Sequence, residues 1–204
     1  MRITVFGATG RTGRHVLAEG ARRGHRITAF TRRPDSLTDT SALAAVVHGD
    51  GRDPEAVDRA VAGADAVIAI VSAAGRKGPF QTAEVAKVII DAMTRAGVRR
   101  LVTTSAYPIV GERPRLAMAL LRRLFAASYA DHAEMERLVA ESDLDWTVAR
   151  LNRLLDRPAQ GGVHVTTDLL DRPRSMTRAD AAAVLLDLAE ADTYARAAVN
   201  VRGG

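Results

Sequence analysis

The sequence predicts an α/β domain built on a doubly wound parallel sheet. Three observations carry that expectation. Short apolar runs rich in Val, Ile, Leu and Thr alternate with helix-compatible stretches from Arg2 to Arg150. The runs are apolar on both faces, as strands buried in a parallel sheet are. A loop bearing Gly7, Gly10 and Gly13 joins the first run to the first helical stretch, and such a junction presents backbone N–H groups to an anion.

The elements follow in order. Strands are expected at Arg2–Phe6, Arg26–Thr31, Ala45–His48, Ala66–Val71, Arg99–Thr103 and Trp146–Arg150. The first helix is expected over Arg14–Arg23. Asp53-Pro54-Glu55 reads as a helix start, with an acid at the N-cap, proline at the first helical position and a further acid in the first turn; Gly63 closes that helix. Phe80–Ala96 carries Val85, Val88, Ile89, Ala92 and Met93 at helical spacing and stops at Gly97. Beyond Tyr107 the pattern changes. Pro114–Ala140 reads as a long helical stretch, with a break expected near Ser128. Asp156–Arg174 is irregular, with a short strand at Val163–Thr166. Thr177–Ala191 is a last helix with Thr177 as N-cap and Asp180 closing a capping box, followed by a strand at Val199–Val201. The whole chain, 1–204, is expected to form a single domain with a small C-terminal elaboration.

Composition bounds the function. With 204 residues and 47% hydrophobic content the chain can bury one substantial core. It holds no cysteine, which excludes disulfides, thiolate metal sites and cysteine nucleophiles, and its five histidines lack metal-ligand spacing. No apolar run approaches the roughly 20 residues that span a bilayer. A first strand starting at Arg2 leaves no room for a leader, so a cytoplasmic protein with no membrane contact is expected. The net charge of +5 comes almost wholly from arginines scattered among acids, with aromatics at only 4%. That reads as a solvated surface rather than a nucleic-acid face. The apolar stretch Leu116–Phe125 could cover a second subunit, making a homodimer, or pack on its own sheet.

The loop Gly7-Ala8-Thr9-Gly10-Arg11-Thr12-Gly13 is the strongest functional signal. Gly7 permits a tight turn, Gly10 lets a pyrophosphate approach the backbone, and Gly13 lets the helix pack closely. Arg11 and Thr12 stand where side chains reach phosphate oxygens. About 20 residues further on, a dinucleotide site carries an acid for NAD or an arginine for the 2′-phosphate of NADP. Arg32 and Arg33 stand there, which favours NADP(H), while nearby Asp35 keeps NAD(H) as the lesser reading. Asp50 and Gly51 follow the third strand, where a carboxylate can accept from an adenine amino group; a plain turn acid is an equal reading. Ser72 and Ala73 end the fourth strand in small residues that let a ligand lie on the backbone, as in a plain turn. Ser105, Ala106 and Tyr107 end the fifth strand, where ligands of open parallel sheets bind. Ser105 is the candidate catalytic residue, orienting a nicotinamide carboxamide or bonding a substrate; a structural serine is an equal reading. His132 is a candidate substrate contact. A Tyr-x-x-x-Lys proton-donating pair is impossible, because the lysines are Lys77 and Lys87 and neither follows a tyrosine at that spacing.

Gly-Ala-Thr-Gly-Arg-Thr-Gly, Phe30-Thr31-Arg32, Gly49-Asp50, Asp65-Ala66-Val67-Ile68, Thr104-Ser105-Ala106 and Leu144-Asp145-Trp146-Thr147-Val148 occur in this order. Together they resemble the atypical short-chain dehydrogenase/reductase families with an NAD(P)-binding Rossmann fold, and within them the NmrA-like and biliverdin reductase B/flavin reductase groups. The resemblance implies that the glycine loop holds the pyrophosphate, Arg32 the 2′-phosphate, Asp50 the adenine, and that Ser105 lies at the nicotinamide. It places substrate contacts after the sixth strand, where this chain has Asn152, Arg153 and Leu154. The His-Ile pair of the flavin reductase group reads Arg153-Leu154 here, and the Arg-Pro of NmrA-like proteins reads Arg150-Leu151. Both departures fall on the substrate side. The expected function is hydride transfer from NADPH to a small conjugated acceptor such as a flavin or quinone. The alternative is a non-catalytic NADP(H)-sensing regulator acting through a protein partner. Epimerase or dehydratase chemistry would need a Tyr-Lys pair and a larger C-terminal domain, and the chain has neither.

Overall fold

A computed structural model describes residues 1–71, 78 and 80–204. The strands are β1 (Arg2–Phe6), β2 (Arg26–Thr31), β3 (Ala45–His48), β4 (Ala66–Ala69), β5 (Arg100–Ala106), β6 (Asp145–Leu151), β7 (Leu154–Leu155), β8 (His164–Thr166), β9 (Met176–Thr177) and β10 (Ala197–Arg202). The α-helices are α1 (Arg11–Arg22), α2 (Pro54–Val61), α3 (Thr82–Ala96), α4 (Arg115–Leu124), α5 (Ala126–Glu141) and α6 (Arg178–Glu190). One eight-stranded sheet runs β3-β2-β1-β4-β5-β6-β10-β8, parallel except for β8, which is antiparallel to β10. β7 and β9 form a separate parallel pair. The order reverses between β1 and β4, and open parallel sheets bind ligands in the crevice outside the carboxyl ends at such a point.

Alternating side chains serve two cores. Val102, Ala149, Val199 and Val201 pack against α1 and α6. Leu101, Trp146 and Val148 pack against the opposite layer of α2, α3 and α5. Two helix starts follow from local chemistry. Asp53 accepts from the Glu55 and Ala56 N–H groups (3.1 and 3.4 Å) ahead of Pro54. The Thr177 hydroxyl accepts from the Asp180 N–H (3.0 Å) and donates to the Asp180 carboxylate (2.7 Å). Gly97 ends α3 at φ +68°, a left-handed conformation that favours glycine.

Some boundaries differ from expectation. α1 begins at Arg11 rather than Arg14. The helical stretch after Pro114 breaks at Phe125 rather than near Ser128. The cause is burial: α5 must turn His132, Met135 and Val139 onto the sheet, whereas α4 buries Met118 and leaves Leu116, Leu120 and Leu124 exposed. β5 extends to Ala106, so Ser105 sits within the strand and not beyond it. Among the described residues no helix is long and apolar enough to cross a membrane.

Candidate functional site

A cleft of about 340 Å³ opens over the carboxyl ends of β1, β2 and β4. Its lining joins Gly7, Thr9 and Gly10 to Arg32 and Arg33, to Asp50 and Gly51, and to Thr82 at the start of α3. The three glycines have different physical reasons. At Gly7 the backbone is left-handed (φ +77°), and a Cβ would lie 2.1 Å from the Ile70 carbonyl oxygen. At Gly13 a Cβ would lie 2.2 Å from the Gly7 carbonyl oxygen and 2.8 Å from that of Ala8. Both are required by the packing of the loop itself. Among the described residues outside its chain neighbours and its own helix, a Cβ on Gly10 would meet within 4 Å nothing but the Gly7 carbonyl oxygen, at 3.0 Å. Its outward side is open, which suits close approach of a diphosphate.

Gly10 caps α1 without a side-chain hydrogen bond, and no acid sits in the first turn. The N–H groups of that turn therefore keep their partial positive charge for an anion. Ala8 and Thr12 are both buried, which holds the loop against the core. Thr9 and Thr31 share a hydroxyl contact of 3.1 Å, and the Thr31 hydroxyl accepts from the Arg33 N–H (3.0 Å). Arg14 donates to the Thr9 carbonyl (3.3 Å) and to the Ser36 carbonyl (2.9 Å). It thereby ties the segment after β2 to the glycine loop, a positioning role that no local motif announced. Arg32 and Arg33 are exposed on the cleft wall. Asp50 accepts from the Arg52 guanidinium and its amide, which holds the carboxyl down at about 2. It lines the cleft as an anion across most of the pH scale.

Arg11, expected near phosphate oxygens, pairs with Asp156 (2.8 Å) while remaining largely exposed. Asp156 also accepts from Arg178 (2.8 Å), so this carboxylate stitches the segment after β7 to both α1 and α6. Ser72 and Ala73 lie outside the described residues. Thr82 is part of the cleft lining, and its buried hydroxyl oxygen has no partner among the described residues. The backbone N–H groups of Thr82 and Ala83 donate to Asp131 of α5 (2.8 and 3.1 Å).

Ser105 is buried, and its Oγ has no partner among the described residues. An orphaned hydroxyl at the carboxyl end of β5 fits a missing ligand group. Ser105 stands in register with Arg150 of β6. The Arg150 guanidinium grips Glu136 of α5 at 2.5 Å, both side chains mostly buried. His132, one turn before Glu136, is buried, and its Nδ1 donates to the Ser128 carbonyl (2.8 Å). That bond fixes the proton on Nδ1 and leaves Nε2 unprotonated in the neutral ring.

Other expected residues have different tasks. The Tyr107 side chain is fully buried, with its phenol accepting from the Leu170 N–H (2.8 Å) and donating to the Leu170 carbonyl (3.1 Å). It anchors the C-terminal segment instead of facing a ligand. Ala106 is half-buried at the end of β5. Asn152 donates to the Val201 carbonyl (2.9 Å), Arg153 is exposed, and half-buried Leu154 packs on the α1–α6 core. Of these three, Arg153 alone presents an exposed side chain with no partner among the described residues.

A family model described as NAD(P)H-binding matches residues 7–192. The (4-alkanoyl-5-oxo-2,5-dihydrofuran-3-yl)methyl phosphate reductase of Streptomyces griseus is 32% identical over 148 residues, covering 72% of this chain and 46% of that protein. The 3-diazoavenalumate denitrifying reductase of a Streptomyces species is 30% identical over 174 residues, 76% of this chain and 56% of the relative. The chain thus spans about half the length of these relatives, and 15% of the mycobacterial proteins it matches at 30% identity. Among solved structures, the anaerobilin reductase ChuY of Escherichia coli O157:H7 superposes with a TM-score of 0.80 at 22% identity, covering 99% of this chain and 97% of its own. A Veillonella parvula short-chain dehydrogenase/reductase in complex with NADP gives 0.83 at 19%, covering 98% and 94%. At such identities the likeness is one of fold.

Proposed function

We propose, starting from the fact that this chain belongs to the NAD(P)H-binding family, that it is an NADPH-dependent reductase acting on a small conjugated acceptor such as a flavin or quinone. The observation that carries this reading is the continuous lining of the cleft. It places the uncapped start of α1, the exposed Arg32–Arg33 pair and the carboxylate of Asp50 along one ligand-sized path. Residues 7–13 would hold a diphosphate through backbone N–H groups. Arg32 and Arg33 would meet a 2′-phosphate with planar donor forks. Asp50 would accept from the adenine amino group, and Ser105 would hydrogen-bond the carboxamide or the acceptor. Bound there, the dinucleotide supplies a hydride; the protein orients it and shields the reacting face.

Tyr107 is committed to Leu170, so it offers no proton at the site. A flat acceptor that takes its proton from water requires none. The same economy fits a sensor that binds NADP(H) without turnover, the alternative that the NmrA-like resemblance implies. Two measurements decide. NADPH oxidation is followed with FMN, riboflavin and quinones; steady turnover with at least one supports the enzyme, and tight NADPH binding with none of them leaves the sensor. Arg32→Ala is expected to weaken NADPH by roughly 10- to 100-fold, the worth of one charge-assisted hydrogen-bonded contact. NADH binding should be nearly unchanged. Equal losses for both dinucleotides would refute the 2′-phosphate assignment.

A further inference from the structure

A second cavity, of about 580 Å³, lies away from the glycine loop. Its lining includes Arg172, Arg174, Arg202 and His164, with Asp168 and Asp171. The two acids are already engaged. Asp171 faces Arg113 (3.5 Å), and Asp168 closes on the Thr166 hydroxyl, through its N–H at 3.1 Å and its carboxylate at 3.4 Å. Among the described residues Arg172 and Arg174 have no carboxylate partner. Arg202 donates to the Gly203 carbonyl (3.1 Å).

The sheet connects this cavity to Ser105. Ser105 is in register with Arg150, Arg150 with Asn200, and Asn200 with Thr166. Parallel and antiparallel register partners point to one face. The flanking residues identify it: Val148 and Ala198 pack into the α2–α3–α5 core, while Val165, Val199 and Val201 pack into the other. A row of polar side chains therefore crosses four strands on the face where α5 lies. Two members, Ser105 Oγ and Asn200 Oδ1, are buried without a partner among the described residues. Arg202 and its register partner His164 stand one step further toward the carboxyl edge, on the same face and in the cavity lining. Strands are about 4.8 Å apart, so three steps separate Ser105 from Thr166 by about 14 Å.

We infer that this cavity docks an anionic group, a phosphate or carboxylate, carried by the acceptor whose reducible ring lies at Ser105. The inference rests on the reductase reading for the ring and on the cavity for the anion. The dinucleotide's own phosphates are met at the opposite half of the sheet, by the glycine loop and Arg32–Arg33, so the second arginine cluster is left for the other reactant. Paired guanidinium groups suit a planar or tetrahedral oxyanion.

FMN and riboflavin test it, because they share one ring system and differ by a phosphate. Each is titrated by flavin fluorescence onto the full chain saturated with NADP⁺, and onto the double variant Arg172→Gln/Arg174→Gln. Both arginines are exposed, so the variant keeps its fold. Wild type should bind FMN on the order of tenfold or more tighter than riboflavin, and the variant should lose that difference with riboflavin unchanged. Equal binding of the two flavins by wild type, no saturable FMN binding, or an FMN preference that survives the double substitution overturns the inference. Turnover is read separately. FMN held through the arginines but not reduced by NADPH leaves the anion site standing and removes the reductase reading.

Discussion

At the scale of single residues, the glycine loop separates what folding needs from what binding needs. Gly13 cannot carry a Cβ without driving it against two backbone carbonyls, at 2.2 and 2.8 Å. Backbone does not yield as a flexible side chain does, so α1 would have to shift off the loop. Gly13→Ala should lower stability by roughly 2–4 kcal/mol, in the range of overpacking and strain. Gly10→Ala meets one oxygen at 3.0 Å and should cost less than about 1 kcal/mol. Its new methyl group would instead occupy the space into which a diphosphate approaches, and NADPH affinity should fall by on the order of tenfold or more. Urea unfolding and NADPH titration of the two variants check this. A Gly10→Ala protein that binds NADPH like wild type would show that the loop's open side is not used. This division was legible in the sequence because every participant lies within seven consecutive residues.

At the scale of elements, the start of α3 depends on a helix distant in sequence. Asp131 of α5 accepts from the N–H groups of Thr82 and Ala83, so it serves as the cap that α3 lacks on its own chain segment. Capping carboxylates contribute about 0.5–2 kcal/mol. Asp131→Ala should therefore lower the melting temperature by roughly 1–8 °C for a domain of this size. Thr82 lines the cleft, so the same loosening should also weaken NADPH binding. Differential scanning fluorimetry with and without NADPH reads both effects, and an unchanged melting temperature would remove the cap. Here the sequence was less informative. The caps of α2 and α6 were readable, since Asp53 and Thr177 act on residues two or three positions away. Asp131 acts across 49 positions, and no local pattern encodes that. The break at Phe125 was missed for a related reason, because it is set by how α5 lands on the sheet.

At the scale of the whole molecule, the sheet sorts its tasks by end. Ser105, Arg150 and Asn200 meet through strand order, which places β10 beside β6. A one-dimensional reading finds the residues of β5 but not the row they join. The opposite, amino end of β5 holds the main structural cation. Arg100 is buried among oxygens: it donates to the Asp145 carbonyl (2.6 Å), the Thr147 hydroxyl (2.8 Å), and the Leu188 and Ala191 carbonyls at the end of α6. Burial pushes its pKa down, against the pull of Asp192 and Asp145, yet an arginine stays charged, and the carbonyl end of α6 favours that charge. Arg100 thus locks β5, β6 and α6 together. Arg100→Met keeps the apolar stem but strands the buried carbonyls without a donor, at about 1–3 kcal/mol for a group left unpaired. A loss of roughly 2–4 kcal/mol in urea unfolding is expected, with the slope of the transition unchanged. Because the cleft lies at the other end of the strands, NADPH affinity of the folded variant should stay at the wild-type value. A wild-type unfolding midpoint would show that the carbonyls find other donors. A matching loss of NADPH affinity would show that the two ends of the sheet are coupled, and that the site depends on the α6 lock as well as on its own residues.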